Sequence, residues 1–337
     1  MGAGIKVENI KKCLKKIYHK LPITQPQREK IYHIYQKVKG NSEDVFVSVY
    51  TNPLPKLAIA APLKVSVIIP NYNYEKYIEE RIDSVIFQTY PIYELIIIDD
   101  CSSDNSREVI RRKIREIGDT VPIRFIENNV NSGNVFIQWK RAFQEAKGDY
   151  IWIAEADDSC AANFLETVIK GFDDPKTVIS YCESLTMDEN GKLLMGDLRP
   201  WIDIFNCGKW NDDYIKDGID EITETMCINN TIANVSSVVF KKGDYDSYIE
   251  TARRFRLAGD WYVYMRILET GKVAYFKDSL NYHRMQPQGM TLSTKHEKEF
   301  EEIVWLQNYA LGHYPVSEEV RKKVFERRER ERKRFGL

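Results

Sequence analysis

The chain has 337 residues and a mass of 39.5 kDa, a length that suits one large domain or two modest ones. Hydrophobic residues make up 43 % and aromatic residues 12 % of the sequence, which excludes a chain that is disordered throughout and a collagen-like chain. The formal charge of −1, from 49 Lys and Arg against 50 Asp and Glu, excludes the overall basic field that drives nonspecific binding to nucleic acid, so no nucleic-acid partner is predicted.

The cysteines and the apolar runs indicate the cellular compartment. The six cysteines are scattered and form no C-x-x-C pair, a pattern that favours a reducing compartment over a disulfide framework or a zinc site. The longest apolar runs, 65–70 and 95–98, are far shorter than the roughly 18 residues of a membrane-spanning helix, and the N-terminus lacks the apolar stretch of a signal peptide. The sequence therefore predicts a cytoplasmic protein.

The first segment of the chain, residues 1–62, is basic and helical in pattern. Its first 40 residues hold ten Lys or Arg against two acidic residues, and Ile10, Leu14 and Ile17 recur at helical spacing. A second short helix is expected before a proline-containing linker that ends at Pro62. The pattern predicts a solvated helical extension, and docking to an anionic membrane surface or to a partner protein stays open as the alternative.

From residue 63 the pattern alternates between apolar runs of strand length and amphipathic stretches of helix length. The run 65–70 has no polar alternation, which is typical of a strand buried on both faces of a parallel sheet. The expected elements that follow are helix 75–88, strand 93–100, helix 106–117, strand 123–126, helix 136–146 and strand 149–154. This alternation predicts an open, mostly parallel α/β sheet with helices on both faces and ligands at the carboxyl ends of its strands.

Short polar side chains follow three of these strands. The segments are Asn71-Tyr72-Asn73 after the first strand, Asp99-Asp100 after the second and Glu155-Ala156-Asp157-Asp158 after the fourth. Carboxylates that converge at one edge repel one another unless a cation compensates them, so Asp100, Asp157 and Asp158 predict a Mg²⁺ or Mn²⁺ site completed by ligand phosphates. For Asp99-Asp100 taken alone, a helix N-cap stays open as a purely structural alternative.

Three ordered motifs carry the strongest signal in the sequence. They are Val-Ser-Val-Ile-Ile-Pro-Asn-Tyr-Asn at 65–73, Ile-Ile-Ile-Asp-Asp-Cys-Ser-Ser-Asp at 96–104 and Ala-Glu-Ala-Asp-Asp at 154–158. Together they resemble family 2 glycosyltransferases, which have the GT-A fold, a Rossmann-like α/β architecture. The resemblance implies a catalytic domain over 63–290, with a nucleotide-sugar half at 63–170 and an acceptor half at 171–290, followed by a C-terminal helical segment at 291–337.

The resemblance also implies roles for the residues of these motifs. The donor nucleotide is expected against the four residues Pro70, Asn71, Tyr72 and Asn73. Asp100 is expected to hydrogen-bond the base, Asp157 to lie near the ribose, and Asp158 to hold the metal. Such a metal neutralises the charge that grows on the donor diphosphate as the glycosidic bond breaks. Glu155 stands where many relatives have Asp and is a secondary candidate, which either reaches the ion through water or only orders the loop.

Two later segments complete the implied site. Asp260 stands where relatives carry the second acid of a Glu-Asp pair, with Gly259 in place of the first, and is expected to be the base that takes the proton of an acceptor hydroxyl. An N-cap role for Asp260 is the structural alternative. Arg284 matches the Arg of a segment that closes over the donor diphosphate and is expected to contact phosphate, with a surface ion pair as the alternative. Gln286 stands where His is usual and is a secondary candidate.

The sequence therefore favours an inverting, metal-dependent glycosyltransferase that moves a sugar from a UDP- or dTDP-sugar to a hydroxyl of a growing bacterial surface polysaccharide such as O-antigen. The expected acceptor is a glycan or lipid-linked glycan, and the basic N-terminus is the candidate for peripheral contact with the inner face of the cell membrane or with polysaccharide-assembly proteins. Two other classes stay open. A sugar-phosphate nucleotidylyltransferase lacks support because no Gly-rich loop follows the first strand. The second class is a non-catalytic nucleotide- or glycan-binding module.

Overall fold

The computed structural model of the protein describes residues 62–286 and 296–337. Except for Pro62, the basic extension predicted for residues 1–62 lies outside these ranges, and so does the part of the predicted C-terminal segment that precedes His296. Over the described ranges, no helix combines the length and the apolar character needed to cross a bilayer.

The described residues form one sheet with helices packed against it. The strands are β1 (Val65–Asn71), β2 (Glu94–Asp99), β3 (Ile123–Glu127), β4 (Tyr150–Ile153), β5 (Ser159–Cys160), β6 (Thr177–Met187), β7 (Leu193–Asp197), β8 (Tyr214–Asp217), β9 (Val238–Lys241) and β10 (Lys272–Arg284). The α-helices are α1 (Ile78–Ile86), α2 (Ser106–Ile117), α3 (Val135–Glu145), α4 (Phe164–Val168), α5 (Arg199–Ile202), α6 (Gly218–Glu221), α7 (Asp246–Ala252), α8 (Gly259–Leu268), α9 (His296–His313) and α10 (Glu318–Phe335).

The first four strands form the parallel half of the sheet. β1 pairs in parallel with β2 on one side and with β4 on the other, and β3 extends the sheet beyond β2. Every residue of β1 is buried, because the strand lies inside the sheet with helices on both faces. The predicted α/β sheet is confirmed, and α2 has its predicted bounds. α1 begins later than predicted, after a turn in which the Tyr74 carbonyl accepts the N–H groups of Tyr77 and Ile78.

β9 reverses the strand direction in the middle of the sheet. It lies antiparallel between β4 and β6, and β10 then runs parallel to β6, so the strand order is β3-β2-β1-β4-β9-β6-β10-β5. Because β9 is antiparallel to β4, the beginning of β9 lies beside the end of β4, and the end of β10 reaches the same edge. Segments that are far apart in the chain therefore meet where β4 ends.

Apolar side chains fill both faces of the sheet. On one face Val67 and Ile69 pack with α1 and α2, and on the other Ile68 packs in a cluster with α3 and α8. Burying each such side chain contributes roughly 1.5–3 kcal/mol relative to leaving it in water. The predicted C-terminal helical segment is helical from His296, and Leu306 of α9 and Val324 of α10 are fully buried in the α8 cluster. These two helices therefore share the core of the face that carries α8.

Candidate active site

Asp158, the last acid after β4, is enclosed by hydrogen-bond donors. Its Oδ2 accepts from Ser236 Oγ (2.6 Å) and Asn234 Nδ2 (2.9 Å), both just before β9. Its Oδ1 accepts from the Arg284 N–H (2.9 Å) and lies 3.3 Å from His283 Nδ1, both at the end of β10. Burial alone would raise the pKa of Asp158, but the His283 ring, the charge of Arg81 and the Ser236 hydroxyl hold the pKa well below its usual range. The carboxylate is therefore ionised and already satisfied by protein groups.

Asp157 has a different environment from its neighbour. It is partly exposed, and its carboxylate accepts from Gln286 Nε2 (2.6 Å). Burial and the negative charge of Asp157 raise the pKa of the Tyr74 hydroxyl. Burial and the adjacent charge of Asp158 raise the pKa of Asp157 above its usual range. A cation beside Asp157 would relieve that repulsion, so this carboxylate fits a hard-metal ligand better than Asp158 does.

Glu155 adds a third carboxylate at the end of β4. Burial, then the charges of Asp157 and Asp158, raise the pKa of Glu155 to about 8. Burial and the charges of Asp260 and Glu155 raise the pKa of the Tyr264 hydroxyl of α8. The segment before β9 contacts both groups of acids, because Asn234 donates to Asp158 and Asn230 lies 3.3 Å from Asp260 Oδ2.

Asp260 occupies the first turn of α8. Its Oδ1 accepts the N–H of Trp261 (2.7 Å), and its Oδ2 lies 3.3 Å from the donor Asn230 Nδ2. Burial raises the pKa of Asp260 to about 7, although both hydrogen bonds oppose that rise. Gly259, which precedes it, packs so tightly that a Cβ there would come within 2.6 Å of the Phe136 ring and 2.7 Å of the Ala252 carbonyl. Only glycine fits that position, so no second acid can stand beside Asp260.

The end of β1 carries the residues expected at the nucleotide. Pro70 is buried in the strand opposite Ile98 of β2. Asn71 Nδ2 donates to Asp99 Oδ2 (2.7 Å) and Ser102 Oγ (3.1 Å), which ties the ends of β1 and β2 together. The buried Asn71 Oδ1 has no hydrogen-bond partner in the described part of the chain, and so remains able to accept from a ligand.

Tyr72 and Asn73 stand at the surface just beyond this strand end. The Tyr72 side chain is 46 % exposed. Asn73 has a φ of 59°, in the left-handed region, and its Oδ1 accepts the Ser103 N–H (2.8 Å). Asn73 therefore holds the loop after β2 and lies at the surface beyond the end of β1.

Asp100 is hydrogen-bonded mainly to the segment after β3. Its carboxylate accepts from Asn128 Nδ2 (2.7 Å), Ser132 Oγ (2.7 Å) and the Ser132 N–H (3.0 Å to each oxygen). Four contacts use the four favourable acceptor positions of a carboxylate. Asp100 thus fixes the loop that leads into α3 and has little capacity left for the direct contact with a nucleotide base that the sequence predicts.

Comparison with known proteins gives the family to which the first part of the described chain is similar. Residues 66–230 match the sequence profile of the family described as Glycosyl transferase family 2. The chain contains a family 2 glycosyltransferase domain. The matched range includes the strand-end groups of β1, β2 and β4 but stops before Asp260, α9 and α10.

Two named bacterial relatives are glucosyltransferases. The chain is 38 % identical over 98 residues to the poly(ribitol-phosphate) beta-glucosyltransferase of Bacillus spizizenii, covering 28 % of this chain and 15 % of the relative. It is 38 % identical over 105 residues to the Escherichia coli UDP-Glc:alpha-D-GlcNAc-diphosphoundecaprenol beta-1,3-glucosyltransferase WfgD, covering 31 % and 39 %. The chain spans well under half the length of these two relatives.

Solved structures with low sequence identity share the fold. Staphylococcus aureus TarS 1–349, crystallised with UDP-GlcNAc, aligns with a TM-score of 0.55 at 16 % identity, over 81 % of this chain and 73 % of TarS. The mannosyltransferase PcManGT of Pyrobaculum calidifontis, in complex with GDP-Man and Mn²⁺, aligns with a TM-score of 0.54 at 17 % identity, over 92 % and 77 %. These likenesses confirm the predicted GT-A fold.

Arg284 differs from the expectation drawn from the sequence of this glycosyltransferase. Its side chain is 1 % exposed and lies over the Tyr77 ring, 4.6 Å from the ring centroid. The guanidinium donates to the Asp157 carbonyl (2.7 Å), the Asp188 carbonyl (3.2 Å) and Glu80 Oε2 (2.9 Å). In this conformation Arg284 cannot face a diphosphate, nor is it a surface ion-pair residue. It holds the backbone of Asp157, so the predicted phosphate contact is replaced by a positioning role.

Several residues of the glycosyltransferase site were not predicted. Asn234 donates to Asp158 and lies 2.7 Å from His283 Nδ1, Ser236 donates to Asp158, and Asn230 donates to Asp260. All but His283 belong to the polar run 229–237 directly before the apolar strand β9. This run of polar residues before a strand is the sequence feature that could have identified them. Their partners lie 30 or more residues away, so the pairing itself could not be predicted from spacing.

Proposed function

We propose that this glycosyltransferase moves a sugar from a nucleotide-diphosphate donor, a UDP- or dTDP-sugar, to a hydroxyl of a bacterial surface polysaccharide, with inversion at the anomeric carbon. The observation that carries the proposal is that the polar run before β9 contacts both Asp260, a carboxyl with a pKa of about 7, and the acidic cluster after β4, through Asn230 and Asn234. A base and a diphosphate site would then lie close together. The surface-polymer acceptors named for two relatives support the acceptor class.

The donor nucleotide is proposed to lie at the ends of β1 and β2. Asn71 Oδ1 offers a buried acceptor there, the Tyr72 ring is exposed for stacking, and Pro70 and Asn73 shape the floor and rim. Asp100 supports this pocket by anchoring the loop at Asn128 and Ser132 rather than by pairing with the base. The uncharged nucleotide base must form hydrogen bonds with donors and acceptors that are not already paired within the protein.

The metal is proposed to be Mn²⁺ or Mg²⁺ held by Asp157, with Gln286 and Glu155 beside it, in place of the Asp158 ligand that the sequence predicts. Asp158 is satisfied by four protein contacts, whereas Asp157 retains unfilled acceptor positions and faces two neighbouring acids. Among residues 62–286 and 296–337, no set of three or more His, Cys, Asp or Glu side chains is arranged as a metal site. Remaining ligands would come from the diphosphate and water. When bound, such an ion supplies Lewis-acid stabilisation of the departing diphosphate.

Asp260 is proposed to act as the general base. Its carboxylate accepts the proton of the acceptor hydroxyl while that oxygen forms a bond to the anomeric carbon, on the face opposite the diphosphate. The bond from the anomeric carbon to the diphosphate oxygen breaks in the same displacement, which inverts the configuration without a covalent enzyme intermediate. The buried Tyr264 hydroxyl makes no hydrogen bond within the described residues, and the charges of Asp260 and Glu155 raise its pKa.

A donor screen tests this function. UDP-glucose, UDP-GlcNAc and dTDP-glucose are added with Mn²⁺, with Mg²⁺ or with a chelator, and the unfolding temperature and nucleotide release are measured. One donor class is expected to raise the unfolding temperature only with metal, because a ligand that binds the folded state alone stabilises it. NMR of the product with a polyribitol or lipid-linked acceptor should show inversion. A retained anomeric configuration, or no stabilisation by any donor, would contradict the proposal.

A further inference from the structure

Glu302, in the helix α9, contacts the backbone immediately before the proposed base. Its Oε1 accepts the Arg256 N–H (2.7 Å), and its Oε2 accepts the N–H groups of Leu257 and Ala258 (3.0 Å each). These three amides lead directly into α8, whose second residue is Asp260. Three charge-assisted bonds from one carboxylate restrict this segment strongly.

At the start of α8, the side chain of the helix itself that accepts a backbone N–H is Asp260, which accepts from Trp261. Ala258 stands at the N-cap position and provides no capping side chain. Gly259 has no room for a side chain at all, because the Phe136 ring and the Ala252 carbonyl occupy that space. The first N–H groups of a helix need acceptors, and a negative charge is favourable near them. Glu302, which is 42 residues further along the chain than Asp260, brings a negative charge to this end of the helix and accepts the N–H groups of the three residues that precede it.

The C-terminal helices also hold the opposite side of Asp260. Asn230, which donates to the Asp260 carboxylate, follows two residues that these helices contact. Gln307 of α9, fully buried, donates to the Ile228 carbonyl (2.8 Å), and Arg327 of α10 lies 3.4 Å from Asn229 Oδ1. The segments on both sides of the base are therefore fixed by α9 and α10, outside the range that matches the family profile.

We infer that Glu302 is a positioning residue for the reaction: its carboxylate sets the place of Asp260 by holding the three amides before α8, so that the C-terminal helices complete the active site. The inference rests on the proposed role of Asp260 as the base. Misplacing a reacting group by about 1 Å costs on the order of 100-fold in rate, so loss of this hold acts on turnover rather than on donor binding.

The test uses the full chain with Glu302→Ala and Glu302→Gln, and with Glu301→Gln as a matched control. Glu301 is the preceding residue of α9 and is exposed. The probes are binding of UDP with Mn²⁺ and release of UDP from UDP-glucose or UDP-GlcNAc, with water as the acceptor. Glu302→Ala is expected to lower kcat about 10- to 100-fold with UDP affinity within about twofold. Glu302→Gln, which keeps one acceptor oxygen, is expected to lower kcat less than Glu302→Ala does. Glu301→Gln is expected to leave kcat unchanged.

The pH profile separates positioning from general damage to the fold. The groups that face Asp260 are the Asn230 amide, the Trp261 N–H, the Tyr264 hydroxyl of its own helix and the charge of Glu302. Glu302 is an anion and therefore adds to the raised pKa of Asp260. Glu302→Gln should move the acid limb of the kcat profile to lower pH, whereas a structural defect would lower the rate without moving that limb.

Amide hydrogen exchange keeps the two proposals distinguishable. Glu302→Ala should speed exchange at residues 256–258 while the amides of β1 keep wild-type rates, and this holds whether or not the protein turns over a sugar donor. If the wild type neither binds nor releases nucleotide, the proposed function is wrong. The exchange measurement then still tests whether Glu302 holds residues 256–258 in place. Unchanged exchange at 256–258, or a Glu302→Ala enzyme with wild-type kcat, would overturn the inference.

Discussion

The two halves of the sheet organise their polar residues in different ways. At the ends of β1 and β2, Asn71, Asp99 and Ser102 bond to one another across neighbouring parallel strands, within about one βαβ unit of sequence. The partners of Asp158 and Asp260 come from the run before β9 and from β10, up to 126 residues away, and Glu302 of α9 holds the amides that precede Asp260. The first half therefore forms a pocket from local sequence, whereas the second half acquires its chemistry only through tertiary contacts.

This difference also separates two adjacent carboxylates. Asp157 and Asp158 are neighbours in sequence, yet Asp158 joins β9 and β10 to the end of β4 while Asp157 faces the groove with Gln286. A buried carboxylate that accepts several donors mainly holds segments together, and a carboxylate with unfilled positions can bind a ligand. Substitutions at these positions can therefore distinguish structural contacts from chemical ones.

Asp260→Asn should give the largest effect on activity. The amide keeps the shape and the bond from Trp261 but cannot take a proton, so transfer should fall about 10²- to 10⁴-fold. Binding of UDP with Mn²⁺ should stay close to wild type, because Asp260 belongs to the acceptor side. Asp220→Asn, an exposed acid in the first turn of α6, is the matched control. Full transfer by Asp260→Asn would remove the base assignment.

Asp158→Ala should give the largest effect on stability. Removing the carboxylate leaves Ser236, Asn234 and the Arg284 N–H without their acceptor in a buried place, which costs about 3 kcal/mol of the free energy of unfolding. Metal-dependent turnover should fall as well, because β9 and β10 no longer fix the loop after β4. Urea unfolding measures the loss, and a variant with wild-type stability would show that these contacts hold nothing together.

Asp157→Asn should affect ligand binding rather than stability. The free energy of unfolding should change by less than about 1 kcal/mol, since the side chain is partly exposed. Affinity for UDP in the presence of Mn²⁺ should fall about 10- to 100-fold, the factor that corresponds to losing one charged contact. Titration calorimetry with and without Mn²⁺ makes the measurement. Wild-type metal dependence in Asp157→Asn would return the ligand role to a neighbouring acid.

The pH dependence of transfer should show the smallest of these effects. Burial raises the pKa of Asp260 to about 7, and only the deprotonated carboxylate can accept a proton. Activity should therefore decrease as the pH falls through 7, with about a tenfold difference between pH 6 and pH 8. The affinity for UDP should not show this decrease below pH 7. A kcat profile that is flat from pH 5.5 to 8 would place the base elsewhere.

Much of the first half could be predicted from the sequence. The apolar run of β1 and the bounds of α2 follow from periodicity, and strand order places Asn71 and Asp99 side by side at one edge. The contacts of Arg284 could not be predicted in this way. Its segment resembles one that contacts phosphate, but its guanidinium binds Glu80, which is 204 residues away. Nothing in local spacing encodes that contact, because it depends on how β10 meets α1.

The reversed direction of β9 has a consequence for how the enzyme matures. Asp158 is synthesised long before Asn234, Ser236 and Arg284, so during translation this acid waits for its partners while the parallel strands of the first half can already pair. A truncated product ending in the polar run 229–237 would lack the end of β10, α8 and Glu302 together. Competence to transfer sugar should thus arise only after Glu302 has been synthesised, and in refolding sugar transfer should recover later than helical circular dichroism.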